Sequence, residues 1–298
     1  MADDRDVLFL CGPTCAGKSA LGLALAERFD AEIVGADSRQ IYRGMSIGTA
    51  APSDGDRARV PHHLVAFLDP TERYNAARYA REATAAILDI RARGKRAIVV
   101  GGTGFYLRAL AGDVELAPAF DDALRARLAC EVRVHPIEVL HAWLVALDPA
   151  RAAALAPTDA YRIVRALEIA LAGPPPPASS ALPTLRAADL NAYKIVVDVP
   201  QAELEARIDA RTDAMLAAGI VAEAERVGPD AIAADAVGYP QIFAYLAGFV
   251  SRAELRALLA RATRRYAKRQ RTWFRSEPGV TWLPPADVPD RVAAHLGW

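Results

Sequence analysis

Cysteine is scarce in this sequence: Cys11, Cys15 and Cys130 are the only three in 298 residues, an odd number without a C-x-x-C pair. Neither a disulfide framework nor a zinc ribbon is built from such a set, and a reducing compartment suits it. No apolar run approaches the ~18 residues of a membrane span. The acidic start Met1-Ala2-Asp3-Asp4-Arg5-Asp6 lacks the basic stretch that opens a secretory signal. The expected location is the cytoplasm, with no membrane partner. Net charge is missing as well, with 36 Lys+Arg against 36 Asp+Glu. That balance excludes a protein that coats nucleic acid by bulk positive charge, but it leaves a local basic face open. Lysine is nearly absent, at Lys18, Lys95, Lys194 and Lys268, so the basic residues are almost all Arg in an Ala-rich background, and Arg number alone carries little information. The 53% hydrophobic and 24% charged content excludes global disorder. The length suits one large domain, or a main domain with an insertion.

The first third alternates strand and helix patterns. Val7 to Cys11 is a short apolar run, Ser19 to Arg28 has helical spacing, and Ala31 to Ala36 forms a second apolar run. Tyr79 to Arg93 is an amphipathic helix ended by Gly94, and Ala97 to Val100 reads as a strand buried on both faces. Such alternation predicts an α/β fold with a parallel sheet. From about 121 to 171 the period is purely helical, until Gly173-Pro174-Pro175-Pro176-Pro177 interrupts it. The run from Tyr193 to Val199 then returns the chain to the sheet, and helical patterns follow over 201–227 and 251–275. The predicted organisation is a core of residues 1–112 and 191–298 with a helical insertion domain at 113–190.

Gly12-Pro13-Thr14-Cys15-Ala16-Gly17-Lys18-Ser19 fits G-x-x-x-x-G-K-[ST], between a strand and a helix as that pattern requires. The glycines let backbone N–H groups turn inward around phosphate oxygens, and the helix N-terminus adds its dipole. Lys18 adds a point charge, and the Ser19 hydroxyl can bind Mg²⁺. A di- or triphosphate is therefore the expected ligand. An NTPase or kinase would add a carboxylate at the end of a second apolar strand. Here the strand Ala97 to Val100 runs instead into Gly101-Gly102-Thr103-Gly104-Phe105-Tyr106. The best acidic candidate is Asp37, at the carboxyl end of the second strand, with a plain turn residue as the alternative. His62 and His63 invite a metal reading, but adjacent side chains diverge and no neighbouring Cys or carboxylate in the sequence completes a site.

The segments GPTCAGKS, DSRQIYRGMSIGTAAP, VPHHL, GGTGFYLRAL, DAYRIVRALE, VGYPQ and AKRQRTWFR occur in that order between Leu10 and Arg275. Together they resemble the bacterial tRNA dimethylallyltransferase family. The resemblance implies a P-loop NTPase-like core with a helical insertion domain that contacts tRNA. It also implies transfer of an isopentenyl group from dimethylallyl diphosphate to the exocyclic amine of the adenosine 3′ of the anticodon. By the same resemblance Asp37 is the general base, Thr103 touches both the tRNA and the reacting centre, and Lys18 with Mg²⁺ stabilises the departing diphosphate. Ser38, Arg39 and Gln40 would meet the flipped base and its neighbours. Further tRNA contacts would come from Arg125, from Tyr161, Arg162, Ile163, Val164 and Arg165, from Gly238 and Tyr239, and from Lys268, Arg269, Gln270, Arg271, Thr272, Trp273, Phe274 and Arg275. Ser46, Ala51 and Pro240 depart from the family pattern.

The residues of the C-terminal helix support a nucleic-acid partner independently. From Arg252 to Ser276 there are nine basic residues and one acidic residue, Glu254, so a local charge of about +8 is offset by −8 over the rest of the chain. Tyr266, Trp273 and Phe274 are interleaved, which suits phosphate contacts with stacking, although Trp273 and Phe274 serve equally as core anchors. The expected partners are the tRNA anticodon stem-loop and dimethylallyl diphosphate, with the protein a monomer. Two other readings use the same phosphate loop: an adenylate isopentenyltransferase acting on a free nucleotide, and an RNA-binding nucleotide switch.

Overall fold

The computed structural model describes residues 5–114, 116, 122–173 and 182–298. Its first unit, Met1–Val114 with Leu182–Trp298, is built on a sheet; the second, Glu115–Ala181, is helical in its described residues. The divisions fall at 114 and 182, so residues 182–190, assigned from sequence to the insertion, go with the sheet unit. The proline run lies outside the described residues.

In the sheet unit, β1 (Asp6–Cys11) leads through the phosphate loop into α1 (Lys18–Arg28), then β2 (Ala31–Gly35), α2 (Ser46–Thr49), α3 (Asp54–Arg59) and β3 (His62–His63). Next come α4 (Ala76–Ala92), capped by the Asn75 side chain accepting from the Arg78 N–H, β4 (Arg96–Gly101) and α5 (Gly104–Ala111). The helical unit contains α6 (Asp122–Val134), α7 (Ile137–Leu147), α8 (Pro149–Ala153) and α9 (Ala160–Ala172). The chain returns through β5 (Asn191–Val197) to α10 (Gln201–Ala217) and α11 (Ile220–Val227), which Gly219 at φ 92° separates. It ends with α12 (Tyr239–Leu246), α13 (Arg252–Arg275), β6 (Val280–Leu283) and α14 (Val288–Leu296).

All six strands are parallel, in the order β3-β2-β4-β1-β5-β6. Parallel strands are covered by helices on both faces, so they read as continuous apolar runs; Val7 to Cys11 and Ala97 to Val100 are buried throughout. The sequence pattern does not predict β3 and β6, because a two-residue strand and a half-buried edge strand carry little periodicity. One side of the core packs Leu8, Leu10, Ile98 and Ile195 with α1, α10 and α14. Each such fully buried side chain contributes roughly 2 kcal/mol. A second cluster joins Ile41 and Met45 to Tyr239, Ile242 and Leu255, fixing the segment after β2 against α12 and α13.

The two histidines are explained here. The His63 ring lies 2.8 Å from a Glu32 carboxylate oxygen, a neighbour that sequence proximity does not reveal, and that carboxylate is shared with Arg93 at 2.9 Å. The Arg93 hydrogen bonds, ahead of the His63 one, hold the Glu32 carboxyl down at about 2. His62 turns the other way, its Nδ1 2.7 Å from the Val60 carbonyl. The two side chains diverge, His63 toward a buried carboxylate and His62 toward the backbone. Among the described residues, no cluster of three or more His, Cys, Asp or Glu could hold a metal, and no helix is long and apolar enough to cross a membrane.

Candidate active site

The sheet order puts β4 and β5 on either side of β1, with Cys11 in register with both Gly101 and Val196. Loops at the carboxyl ends of parallel strands therefore converge there, as they do at ligand sites of open α/β sheets. Gly12 leaves β1 at φ 140°, where a Cβ would stand 3.1 Å from the Val197 carbonyl oxygen. The loop then turns, with Cys15 held in the left-handed region at φ 64°, and delivers Lys18 to the start of α1. The Lys18 ammonium donates to the Pro13 carbonyl at 2.7 Å. Burial, opposed by nearby Asp37, lowers its pKa to about 8.

A cavity of about 370 Å³ opens over this loop and is lined by Lys18, Ser19, Asp37, Arg207, Arg211 and Gln270, among others. A larger one, about 480 Å³, lies at the opposite edge of the sheet, beside Asp6 and Ala97 where β1 and β4 begin. The first is the chemically equipped cavity, because cations and a carboxylate meet a phosphate loop there.

Arg207 and Arg211 are functional candidates that the sequence reading does not single out. They lie at i, i+4 on one face of α10, the helix that follows β5 and so runs beside the phosphate loop. An Arg211 guanidinium nitrogen donates to Thr14 Oγ1 at 3.0 Å, while its Nε is buried and has no hydrogen-bond partner among the described residues. Arg207 reaches the Cys15 carbonyl at 3.5 Å. The spacing is visible in the sequence, but in an Arg-rich chain it does not stand out until the helix is placed.

The Gly-Gly-Thr-Gly turn after β4 owes each glycine to a different neighbour. A Cβ at Gly101 would fall 2.1 Å from the Ala36 carbonyl oxygen, at Gly102 2.2 Å from the Gln270 amide nitrogen, and at Gly104 2.0 Å from the Trp273 indole nitrogen. This close packing ties Thr103 to the end of β2. The Thr103 N–H donates to the Ala36 carbonyl at 3.1 Å, and Thr103 Oγ1 accepts from the Ser38 N–H at 3.0 Å. Asp37 sits between those contacts; its Oδ1 accepts from the Arg39 N–H at 2.8 Å, a turn that orients the carboxylate. Tyr266, from α13, lies by the same cluster: burial first, then the Asp37 charge, pushes its phenol well above the usual range.

Several residues expected on the nucleic acid are occupied otherwise. Ile163 is fully buried in the core of the helical unit, and Phe274 is a core anchor with 1% exposure, so neither side chain can reach a ligand. Tyr239 is also fully buried; its hydroxyl donates to Glu223, whose carboxylate accepts from the Ile47 and Gly48 N–H groups. Gly238 is buried beside it, where a Cβ would lie 3.1 Å from Leu259. Gln270 is buried and turned inward, accepting from the Thr14 N–H at 2.8 Å and donating to the Gly102 carbonyl at 2.9 Å. Gln40 spends its amide nitrogen on the Thr49 and Ala50 carbonyls. Trp273 is half-buried, with the Arg108 guanidinium 4.6 Å above its ring. Arg125 and Arg165 both hold the buried Glu168 carboxylate at 2.8 Å, whereas Tyr161 stays 83% exposed.

The basic helix is less free than its composition suggests. Arg256 pairs with Asp213, Arg264 with Asp209, and Arg271 with Asp198. Apart from Arg252 at the start of the helix, what remains is a stripe of exposed residues, Arg261, Arg265, Lys268, Thr272 and Arg275, spaced by three and four along one helix face, with Arg269 beside it.

The family model for IPP transferase matches residues 40–277, and that for isopentenyl transferase matches residues 5–61. A tRNA dimethylallyltransferase of Anaeromyxobacter dehalogenans is 45% identical over 294 residues, covering 97% of this chain and 98% of that one. One from Halorhodospira halophila is 46% identical over 97% of this chain and 95% of its own. Among solved structures, the full-length tRNA isopentenylpyrophosphate transferase of Bacillus halodurans is 33% identical with a TM-score of 0.71, covering 98% of this chain and 97% of that one. A eukaryotic dimethylallyltransferase acting on tRNA is 25% identical with a TM-score of 0.75, over 98% of this chain and 77% of that chain. With matches of this extent on a parallel sheet bearing a phosphate loop, the chain belongs to the IPP transferase family.

Proposed function

We propose that this enzyme transfers the dimethylallyl group of dimethylallyl diphosphate to the exocyclic amine of the adenosine 3′ of the anticodon in tRNA. The observation that carries the reading is the cavity in which a phosphate loop, Lys18, Arg207 and Arg211 face the Asp37 carboxylate. The loop and the cations take the diphosphate, and Gly12 to Ser19 frame it. As the bond from the allylic carbon to the diphosphate oxygen breaks, negative charge grows on the leaving group, and preorganised cations stabilise it there. The adenine amine forms the new carbon–nitrogen bond and gives up one proton, which Asp37 accepts. Thr103, bonded to the Ser38 N–H beside Asp37, orients the base from the other side of the turn.

Mg²⁺ fits this arrangement. The Ser19 hydroxyl lines the cavity and makes no hydrogen bond within the described residues. Magnesium bound to a diphosphate typically takes only one or two protein oxygens. Ser19 would hold the ion, which would neutralise diphosphate charge.

The tRNA would lie along Arg261, Arg265, Lys268, Arg269, Thr272 and Arg275, with Ser38 and Arg39 near the base and Tyr161 and Arg162 as further contacts. Incubation with dimethylallyl diphosphate, Mg²⁺ and tRNA bearing that adenosine is expected to yield isopentenyladenosine on nucleoside mass analysis. Product from AMP in place of tRNA would favour the free-nucleotide reading instead. Affinity for tRNA should fall steeply with salt. The double replacement Arg265→Ala with Lys268→Ala should flatten the log–log slope by about 1 to 2 units, since each released phosphate contact contributes roughly 0.7 to 0.9. An unchanged slope would remove this stripe from the interface.

A further inference from the structure

Gln270 lies on the inner side of α13 with 5% of its surface exposed, and both ends of its amide are used. The oxygen accepts from the Thr14 N–H in the phosphate loop at 2.8 Å, and the nitrogen donates to the Gly102 carbonyl at 2.9 Å. The two partners fix the amide's orientation, because a flip would set donor against donor and oxygen against oxygen. Gly102 immediately precedes Thr103, whose hydroxyl holds the Ser38 N–H next to Asp37. The approach is close enough that any Cβ at Gly102 would collide with the amide nitrogen.

We propose that Gln270 is a positioning residue that clamps the phosphate loop to the Thr103 turn, fixing the distance between the departing diphosphate and the group that deprotonates the acceptor amine. This rests on the transfer reading above. Transfer needs the diphosphate, the allylic carbon and the amine aligned, and a displacement of about 1 Å at such a centre can cost on the order of 100-fold in rate. The loops at the ends of β1 and β4 come from neighbouring strands, but side-chain bonding between them runs through α13. A neutral amide suits this clamp, since it offers a donor and an acceptor on one rigid plane and adds no charge beside a diphosphate. The same helix carries the exposed basic stripe on its other side, so the element that would meet tRNA also sets the spacing inside the cavity.

Gln270→Met keeps length and volume and removes both bonds. The expected result is a fall of about 25-fold in kcat/KM for dimethylallyl diphosphate, two ordinary hydrogen bonds being worth about fivefold each. Inorganic diphosphate, titrated by calorimetry, should bind several-fold more weakly, while tRNA affinity by filter binding stays within about twofold of wild type. Gln270→Glu gives a second readout. Its carboxyl reproduces both bonds only when protonated, so its activity relative to wild type should climb as pH falls from about 8 to about 6. A purely space-filling role predicts wild-type kcat/KM in Gln270→Met, which keeps the volume. Wild-type kcat/KM and diphosphate affinity in Gln270→Met, or a pH-independent ratio in Gln270→Glu, would overturn the proposal. Absence of transfer by the wild-type enzyme would instead sink the functional reading, and that outcome is visible without either variant.

Discussion

Replacing Asp37 by asparagine should lower kcat by about 1,000-fold, within the 10²–10⁴ range of a lost general base, while leaving tRNA and diphosphate affinity nearly unchanged. The change is nearly isosteric. The Asp37 Oδ1 that accepts from the Arg39 N–H is matched by the asparagine oxygen, so the turn survives. What disappears is the capacity to take a proton from an amine whose lone pair is delocalised into the adenine ring. Single-turnover transfer with saturating tRNA isolates that step. Asp37→Asn at full rate would exclude the carboxylate as base. A loss confined to tRNA binding would make Asp37 a recognition residue.

The contrast between Asp37 and its neighbours shows where the sequence is legible. The phosphate loop has a spacing dictated by backbone geometry, so its function is readable before any packing is known. Asp37 follows from its place at a strand end on the same rim. Neighbouring positions in DAYRIVRALE and AKRQRTWFR are harder, because one short segment faces two environments. Ile163 goes inward to the helical core while Tyr161 stays exposed, and Gln270 turns into the cavity while Lys268 faces solvent. A matched motif marks the whole segment as important without saying which side chains touch a ligand and which hold the scaffold.

Arg207 and Arg211 show the opposite failure. Nothing about their spacing separates them from the many other Arg pairs in this composition; they acquire meaning only because β5 adjoins β1 and delivers α10 to the phosphate loop. Glu223 is similar. It is 1% exposed within α11 and supports α2 through two backbone N–H groups. Long-range pairing of this kind is set by topology, and a one-dimensional pattern does not encode it.

Lys18 gives a prediction of comparable size, with a pH signature. Burial draws its pKa down to about 8 in the ligand-free protein, with Asp37 pulling the other way and Arg211 adding to the depression. Diphosphate binding needs the ammonium, so the bound form holds the proton more tightly than the free form. Below pH 8 the group is already charged and affinity is flat. Above pH 8 a proton must be taken up on binding, and the dissociation constant should rise about tenfold between pH 7 and pH 9 by proton linkage. Lys18→Met should therefore do two things at once: cut kcat/KM by about 10²–10³, the usual cost of removing one preorganised charge-stabilising group, and abolish the alkaline rise in diphosphate dissociation constant. The measurement is calorimetric titration of inorganic diphosphate into wild type and variant at fixed ionic strength across pH 7 to 9. A rise that persists undiminished in Lys18→Met would assign the proton to another group. A flat wild-type profile would mean that the free ammonium already holds its proton across this range, and would overturn the pH signature.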